Sequence, residues 1–368
     1  MTERILITGG AGFIGRHLAA LLLRHGHRVR VLDSLIPQVH GDGGRPGELD
    51  ADVELVVGDV RDETMLRNAL AGVDSVVHLA AEVGVGQSMY AVDRYVSVND
   101  HGTAVLFQAL IDRPVRRVVV ASSMSIYGEG LYRNEDGGLY EAITRKPGKP
   151  WDPQDPQGRP LKPVPTPESK RPALASVYAI TKYVQERLTL TLAPAYGMEG
   201  AALRLWNAYG PGQALSNPYT GVLAIFAARL LNGQPPMIFE DGEQRRDFVH
   251  VGDVAESFRL ALFQPQAAGG VFNIGSGEVR TVTEVARLLA EAMGRPEIGP
   301  EITDKARAGD IRHCIPDLTL AHSQLGYAAR MDFREGLAEL SEWVARQQRA
   351  EDRVAEARRE LEARGLVA

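Results

Sequence analysis

The stretch richest in chemical potential runs Ser176-Val177-Tyr178-Ala179-Ile180-Thr181-Lys182 and continues Tyr183-Val184-Gln185-Glu186-Arg187-Leu188. Val177, Ile180, Val184 and Leu188 recur at helical spacing, which predicts an amphipathic helix with Tyr178 and Lys182 one turn apart on one side. A cation beside a phenol favours the phenolate, so a group that titrates near ~10 in water becomes an acid/base usable closer to neutral pH. That is the chemistry of moving a proton to and from an alcohol. It has a use only if the chain also builds a redox cofactor site and sets a second hydroxyl beside the tyrosine.

The elements that would position such a site come earlier. Arg4-Ile5-Leu6-Ile7-Thr8 predicts a buried strand, and it opens into Gly9-Gly10-Ala11-Gly12-Phe13-Ile14-Gly15 ahead of an apolar helix carrying Leu18, Leu21 and Leu22. A glycine turn between strand and helix lets backbone approach a pyrophosphate, whose charge meets unpaired N–H groups at the helix start. The spacing Gly9, Gly12, Gly15 is G-x-x-G-x-x-G, where the common form is G-x-G-x-x-G. The next strand, Val29-Arg30-Val31-Leu32, ends in Asp33, a carboxylate placed to accept from ribose hydroxyls and to repel a 2′-phosphate. NAD is therefore expected over NADP.

Further strands alternate with helices: Val53–Val57, Ser75–Leu79 and Arg117–Ala121. Such continuous aliphatic runs suit strands buried on both faces, hence a parallel sheet. Each strand ends in polar or small residues: Gly58-Asp59-Val60, Ala80-Ala81-Glu82 and Ser122-Ser123. Ligands bind at those ends; for Asp59, a helix or turn cap and a contact with adenine are equally good readings. The fold class is α/β, a Rossmann-type doubly wound parallel sheet with a smaller α+β C-terminal substrate lobe. The expected division is 1–206 for the NAD-binding part, 207–346 for a nucleotide-sugar lobe interleaved with the sheet, and 347–368 for a charged helical tail, most simply solvated. A proline-rich insertion at about 129–175 shows no periodicity and is either a lid or a subunit-contact arm. In the second lobe, helical stretches near 221–232 and 282–293 are expected, and Arg246, Arg307 and the pair Asp310/Arg312 offer charge for a substrate phosphate.

Composition narrows the partners. A chain of 368 residues with 44% hydrophobic content can bury a large core. Net charge is −6 and the pI about 5.9, so neither nucleic acid nor anionic membrane is an expected partner. The one cysteine, Cys314, permits no intramolecular disulfide, and no metal is expected. The N-terminus enters a strand pattern directly and no apolar run approaches the ~18 residues of a membrane span. A cytoplasmic protein is the expectation.

With these residues in hand, the chain resembles the extended short-chain dehydrogenase/reductases, specifically the nucleotide-sugar epimerase/dehydratase family, over residues 3 to about 346. The carrying motifs are Thr8 to Gly15, His78-Leu79-Ala80-Ala81, Asn99 with Gly102-Thr103, Ser122 to Gly128, Tyr178/Lys182, Asn207, Arg246-Asp247-Phe248 and Arg307 to Asp310. The resemblance implies Tyr178 as acid/base, Lys182 on the nicotinamide ribose and Ser123 on the reacting sugar oxygen. It implies NAD contacts from Gly9, Gly12, Phe13, Ile14, Gly15, Asp33, Asp59, Val60, Leu79, Ala80, Ala81, Asn99 and Ser122. Substrate contacts are implied for Ser125, Val222, Leu223 and Asp310, with Asn207, Arg246 and Arg307 as diphosphate ligands and Met237 and Phe239 near the base.

The implied reaction is epimerisation at C4 of a nucleoside-diphosphate sugar through a transient 4-keto sugar. The 4,6-dehydratases carry Asp and Glu where this chain has Met124 and Ser125, and decarboxylating members carry Glu at the latter position, which argues against a lyase. The insertion and the segments Leu32 to Gly41 and Glu82 to Ser88 most resemble dTDP-L-rhamnose 4-epimerases, which form dTDP-6-deoxy-L-talose. UDP-glucose or UDP-glucuronate 4-epimerases are the alternative, ahead of a dehydratase or a 4-ketoreductase. The small Cys314 stands where hexose epimerases gate their pocket and is compatible with unusual sugars. Family members pair through the Tyr/Lys helix and the helix around Gly102–Leu110, so a homodimer is expected.

Overall fold

The computed structural model describes residues 2–41, 44–145, 148–215, 217, 221–306, 310–347 and 354–367, with the backbone alone over 354–358. Seven aliphatic runs form one parallel sheet, its strands labelled along the chain: β1 (Arg4–Thr8), β2 (Arg28–Asp33), β3 (Glu54–Val57), β4 (Ser75–His78), β5 (Arg117–Ser123), β6 (Glu199–Leu205) and β7 (Val271–Ile274). Their order across the sheet is β7-β6-β5-β4-β1-β2-β3, and every neighbouring pair is parallel. β4 and β5 are buried along their whole length because helices cover both faces. One face packs helices Phe13–Arg24 and Val251–Phe263 through Leu18, Leu22, Val254 and Phe258. The other packs Glu63–Ala69 and Gly102–Asp112 through Leu66, Leu106 and Leu110. Chain direction across the sheet reverses between β1 and β4, so a crevice opens at the C-terminal ends of those strands.

The second lobe is built on three short strands, Asn207–Tyr209, Arg245–His250 and Val279–Thr281, backed by helices Val222–Leu231, Val282–Ala292 and Phe333–Ala345. Its core includes Phe226, Phe248, Leu289, Phe333 and Leu340. Between the second and third strands the chain leaves the lobe: helix Val251–Phe263 and β7 both belong to the large sheet. The lobes interleave, as the pattern of the sequence suggested.

The insertion folds as a small antiparallel sheet of Leu131–Arg133 between Leu139–Tyr140 and Lys162–Val164. It is tied to the second lobe by buried charge. Arg145 pairs with Glu129 at 2.7 Å and Glu240 at 2.8 Å, and Arg312 with Asp152 at 2.7 Å, Glu240 at 3.1 Å and Asp241 at 2.5 Å. Arg312 is 2% exposed, which corrects its reading as a phosphate ligand: its guanidinium is engaged by the carboxylates of Asp152, Glu240 and Asp241. No described residue of 129–175 lines the cleft below, so the insertion is not placed as a lid.

The tail also departs from expectation. Helix Val354–Ala363 forms, but it is not simply solvated: Leu361 is buried. Among the described residues, no helix is long and apolar enough to cross a membrane, and no His/Cys/Asp/Glu group could hold a metal ion.

Candidate active site

The Tyr178 helix spans Val177–Ala195 and starts cleanly because Ser176 accepts a hydrogen bond from the Ala179 N–H at 3.1 Å. Its orientation reverses what the apolar stripe suggests. The buried side carries Thr181, Lys182, Gln185, Glu186 and Thr189, whereas Ile180 is 42% exposed and Val177, Val184 and Leu188 are half-buried. The polar side can be buried because it is fully engaged. Gln185 Nε2 donates to Thr103 Oγ1 at 3.0 Å and to the Ala80 carbonyl at 3.3 Å; Glu186 takes Arg204 at 2.7 Å and the Ser122 hydroxyl at 2.7 Å. His78, between Thr8 at 2.7 Å and Thr103 at 2.8 Å, is held neutral: burial first, then the Lys182 charge, push its pKa down to about 3.

A cleft of about 1320 Å³ runs from the glycine turn, across the ends of β1, β4 and β5, into the second lobe. Tyr178, Lys182, Ser122, Ser123 and Ser125 all line it. Ser123 is the meeting point: it lies close enough to the Tyr178 hydroxyl to lower its pKa, and it accepts from the Ser125 hydroxyl at 3.0 Å and from the Ser125 N–H at 3.2 Å. The second hydroxyl that the tyrosine needs is therefore present. Ser122, by contrast, gives its hydroxyl to Glu186.

The electrostatics correct one expectation. Burial raises the Tyr178 pKa, Ser123 only partly opposing it, where the sequence predicts a lowering by Lys182. Lys182 is itself shifted. Burial lowers its pKa to about 7, partly offset by Asp100, and its ammonium donates to Gln185 Oε1 at 2.6 Å. Near neutral pH it is roughly half charged. Asp100 is pushed up to about 6 by burial, with Lys182 pulling the other way.

The cofactor half of the cleft fits a dinucleotide. Gly9 has φ +68°, and a Cβ there would meet the Ala80 backbone at 2.7 Å; one at Gly15 would meet Gly10 at 2.4 Å. Both glycines are demanded by close packing of strand, turn and helix. Gly12 caps helix Phe13–Arg24 with no side-chain hydrogen bond, so first-turn N–H groups are left for an anion. Asp33 sits at the end of β2 on the cleft wall, oriented by the N–H groups of Ala11 at 3.0 Å and Leu35 at 2.9 Å. Phe13, Ile14, Val60, Leu79, Ala80 and Ala81 line the same half. Asp59 also lines it, but its carboxylate is paired with Arg61 at 2.6 Å and accepts the Arg61 N–H at 2.9 Å. The cap of the following helix is Asp62, not Asp59.

Asn99 is not brought to the cleft. It is fully buried behind the wall, where it accepts from the Glu82 N–H at 2.7 Å and donates to the Glu82 carbonyl at 3.1 Å and Thr181 Oγ1 at 2.9 Å. It latches the segment after β4 to the Tyr178 helix instead of facing a ligand.

In the substrate half, Asn207, Val222, Met237, Phe239, Arg246 and Asp310 line the cleft. Arg246 is oriented by the carbonyl of Arg312 at 2.7 Å and that of Ile311, and Asn207 donates to the Asp247 carbonyl at 2.8 Å. Leu223 does not line it: it is 1% exposed in the core of the second lobe, and Ile225 and Phe226 line the cleft beside Val222. The i, i+3, i+4 spacing from Val222 was the available signal. Arg307 lies outside the described residues. Sequence reading also missed a polar group at the cleft: Glu82, paired with Arg94 at 2.7 Å, and Gln38, which accepts from Arg94 at 3.0 Å.

Comparison with known proteins agrees with this geometry. Residues 5–275 match the model of the NAD dependent epimerase/dehydratase family. The chain is 35% identical to a dTDP-L-rhamnose 4-epimerase of Burkholderia thailandensis, covering 94% of this chain and 96% of that protein. It is 31% identical to a dTDP-glucose 4,6-dehydratase of an Actinoplanes strain, over 92% and 97% of the two chains. The solved UDP-glucose 4-epimerase of Thermus thermophilus in complex with NAD superposes with a TM-score of 0.73 at 30% identity, over 93% of this chain and 99% of that one.

Proposed function

The chain belongs to the NAD dependent epimerase/dehydratase family, and from that premise we propose that it inverts C4 of a nucleoside-diphosphate sugar, with dTDP-L-rhamnose as substrate and dTDP-6-deoxy-L-talose as product. Overall similarity does not separate epimerase from dehydratase, since relatives of both kinds match over nearly the whole chain. The observation that carries the reading is local. Tyr178 and Ser123 line the cleft side by side, and the neighbouring positions 124 and 125 hold a thioether and a hydroxyl, both nearly buried. Neither can serve as the second acid/base that removing water from C5 and C6 demands.

NAD, when bound, accepts hydride from C4 and gives it back. The remaining work falls to the protein. With NAD bound, Tyr178 would act as its phenolate and take the proton of the C4 hydroxyl while Ser123 hydrogen-bonds the same oxygen, and Lys182 holds the nicotinamide ribose. Asn207, Arg246 and Arg307 grip the diphosphate, Met237 and Phe239 flank the base, and Asp33 accepts from the adenosine ribose. A sugar tethered by its diphosphate can present either face of C4 after turning, and the same Tyr178 oxygen returns the proton.

The test is a panel of dTDP- and UDP-sugars followed by NMR. Inversion at C4 with no net change in nicotinamide absorbance is expected. A stable 4-keto-6-deoxy product would make the protein a dehydratase, and stoichiometric consumption of NADH a reductase. UDP-glucose, named for the Thermus neighbour, and UDP-glucuronate are the alternative substrates, and the same panel separates them.

We also infer a cytoplasmic homodimer. The single thiol, Cys314, is free and buried, as suits a reducing compartment. Ile180, Val92 and Val96 are each more than 40% exposed on the Tyr178 helix and the run leading to helix Gly102–Asp112, an apolar surface of the kind a second copy covers. Light scattering should give twice the chain mass, and Ile180→Glu with Val96→Glu should reduce it to one; a monomer in the unaltered protein would refute the pairing.

A further inference from the structure

The C-terminal segment meets the cleft through two leucines. Of its described residues, Leu361 and Leu366 alone line the cleft, and they are the two leucines of residues 351–368. Local geometry brings them together. The Leu366 N–H donates to the Leu361 carbonyl at 2.9 Å and the Gly365 N–H to the Glu362 carbonyl at 3.0 Å, with Gly365 at φ +68°. This is the helix ending in which the residue after a left-handed glycine folds back onto the last turn. The segment that carries the pair touches both halves of the protein. Leu361 lies against Gly86, whose Cβ would be 3.7 Å from it, and Arg364 sits over the Tyr90 ring at 4.4 Å, both on the cofactor side; Glu362 pairs with Lys305 of the second lobe at 3.4 Å.

We propose that this tail is part of the active site: the Leu361–Leu366 pair closes the mouth of the cleft and keeps the oxidised sugar inside until its hydrogen is returned. The proposal rests on the epimerase reading. When hydride leaves C4 for the cofactor and the hydroxyl proton passes to Tyr178, the sugar is a neutral ketone with one bond less to hydrogen at C4. If the ketone escapes, the reduced nicotinamide and the protonated tyrosine stay behind and the site is stranded. An enzyme that borrows hydride within each turnover needs a closed mouth for that interval.

The experiment compares the full chain with a version ending at Gln347, with Leu361→Asp/Leu366→Asp, and with Gly365→Val, which opposes the left-handed turn. With NAD-loaded protein and the sugar nucleotide found active above, the altered chains should build up the near-ultraviolet absorbance of reduced nicotinamide, lose activity over successive turnovers, and show a KM raised about tenfold, the scale of one buried leucine. Unchanged KM and no reduced nicotinamide in folded variants overturn the proposal. Should the shortened chain not fold, the point variants decide. Should the full chain invert no sugar, the epimerase reading has failed, and a readout without turnover remains: dTDP or UDP should slow tryptic cleavage at Arg364, and cleavage insensitive to both nucleotides overturns closure.

Discussion

Replacing Tyr178 with phenylalanine should lower turnover by about 10²–10⁴-fold, the usual contribution of a positioned acid/base, while NAD binding and folding survive. The substitution removes one oxygen and keeps the ring, which packs edge-on against Tyr95 at 6.5 Å between centroids. Ser123 keeps the Ser125 hydroxyl as a partner, so little structural cost is expected. Turnover by NMR, with bound NAD measured after denaturation, checks it. Full activity in the variant would remove the proton-transfer role; loss of bound NAD along with activity would point to a structural role instead. Burial raises the pKa of the phenol and lowers that of Lys182 to about 7. The variant therefore tests the oxygen as a proton carrier within the loaded site.

Arg204→Met should destabilise the fold by about 3–5 kcal/mol, because it leaves a buried carboxylate without its cation. Arg204 is 4% exposed and Glu186 1%. The guanidinium forks onto Glu186 at 2.7 and 3.0 Å, donates to the Tyr127 hydroxyl at 2.7 Å and lies 4.9 Å from the Tyr127 ring centroid. Burial works against its charge, yet Glu186 and Tyr127 raise its pKa above the ordinary arginine value. Removing both partners, in Arg204→Met/Glu186→Leu, should recover at least half of the loss, since two apolar groups no longer oppose each other. Urea unfolding of Arg204→Met, Glu186→Leu and the double variant reads this directly. A single variant within 1 kcal/mol of the parent, or a double variant as unstable as the sum of the singles, would show that the pair does not work this way.

The parts visible in the sequence are those in which one short segment fixes both conformation and chemistry. The glycine turn, Asp33 at a strand end, Ser123 with Ser125, and Tyr178 with Lys182 each follow from local spacing, and the structure brings them to one cleft. What was hidden depends on facing. Asn99 falls in a π-helical turn, Val96–His101, whose phase differs from the surrounding helix and turns the amide inward. Leu223 is one position out of phase with Val222. The apolar stripe of the Tyr178 helix pointed outward because Gln185, Glu186 and Lys182 had partners on β4, β6 and the helix itself, which no local pattern announces. Arg312 was misread for the same reason: its carboxylates come from the insertion and from residues 240 and 241. The tail's charge concealed two leucines whose significance needed Gly365 to be read as a helix ending.

The connectivity of the large sheet bears on how the protein is made. β7 flanks β6, yet it is separated from it by the first two strands and first helix of the second lobe and by helix Val251–Phe263. A nascent chain that has emerged as far as residue 206 carries every residue expected at the nicotinamide and still presents β6, with Ala201, Ala202 and Leu203 at zero exposure in the finished fold, as an open edge able to pair with a neighbour. That margin is sealed only when residue 274 is available, after a long loop closure. A fragment cut at the apparent boundary between the lobes would be a sheet with one side unfinished.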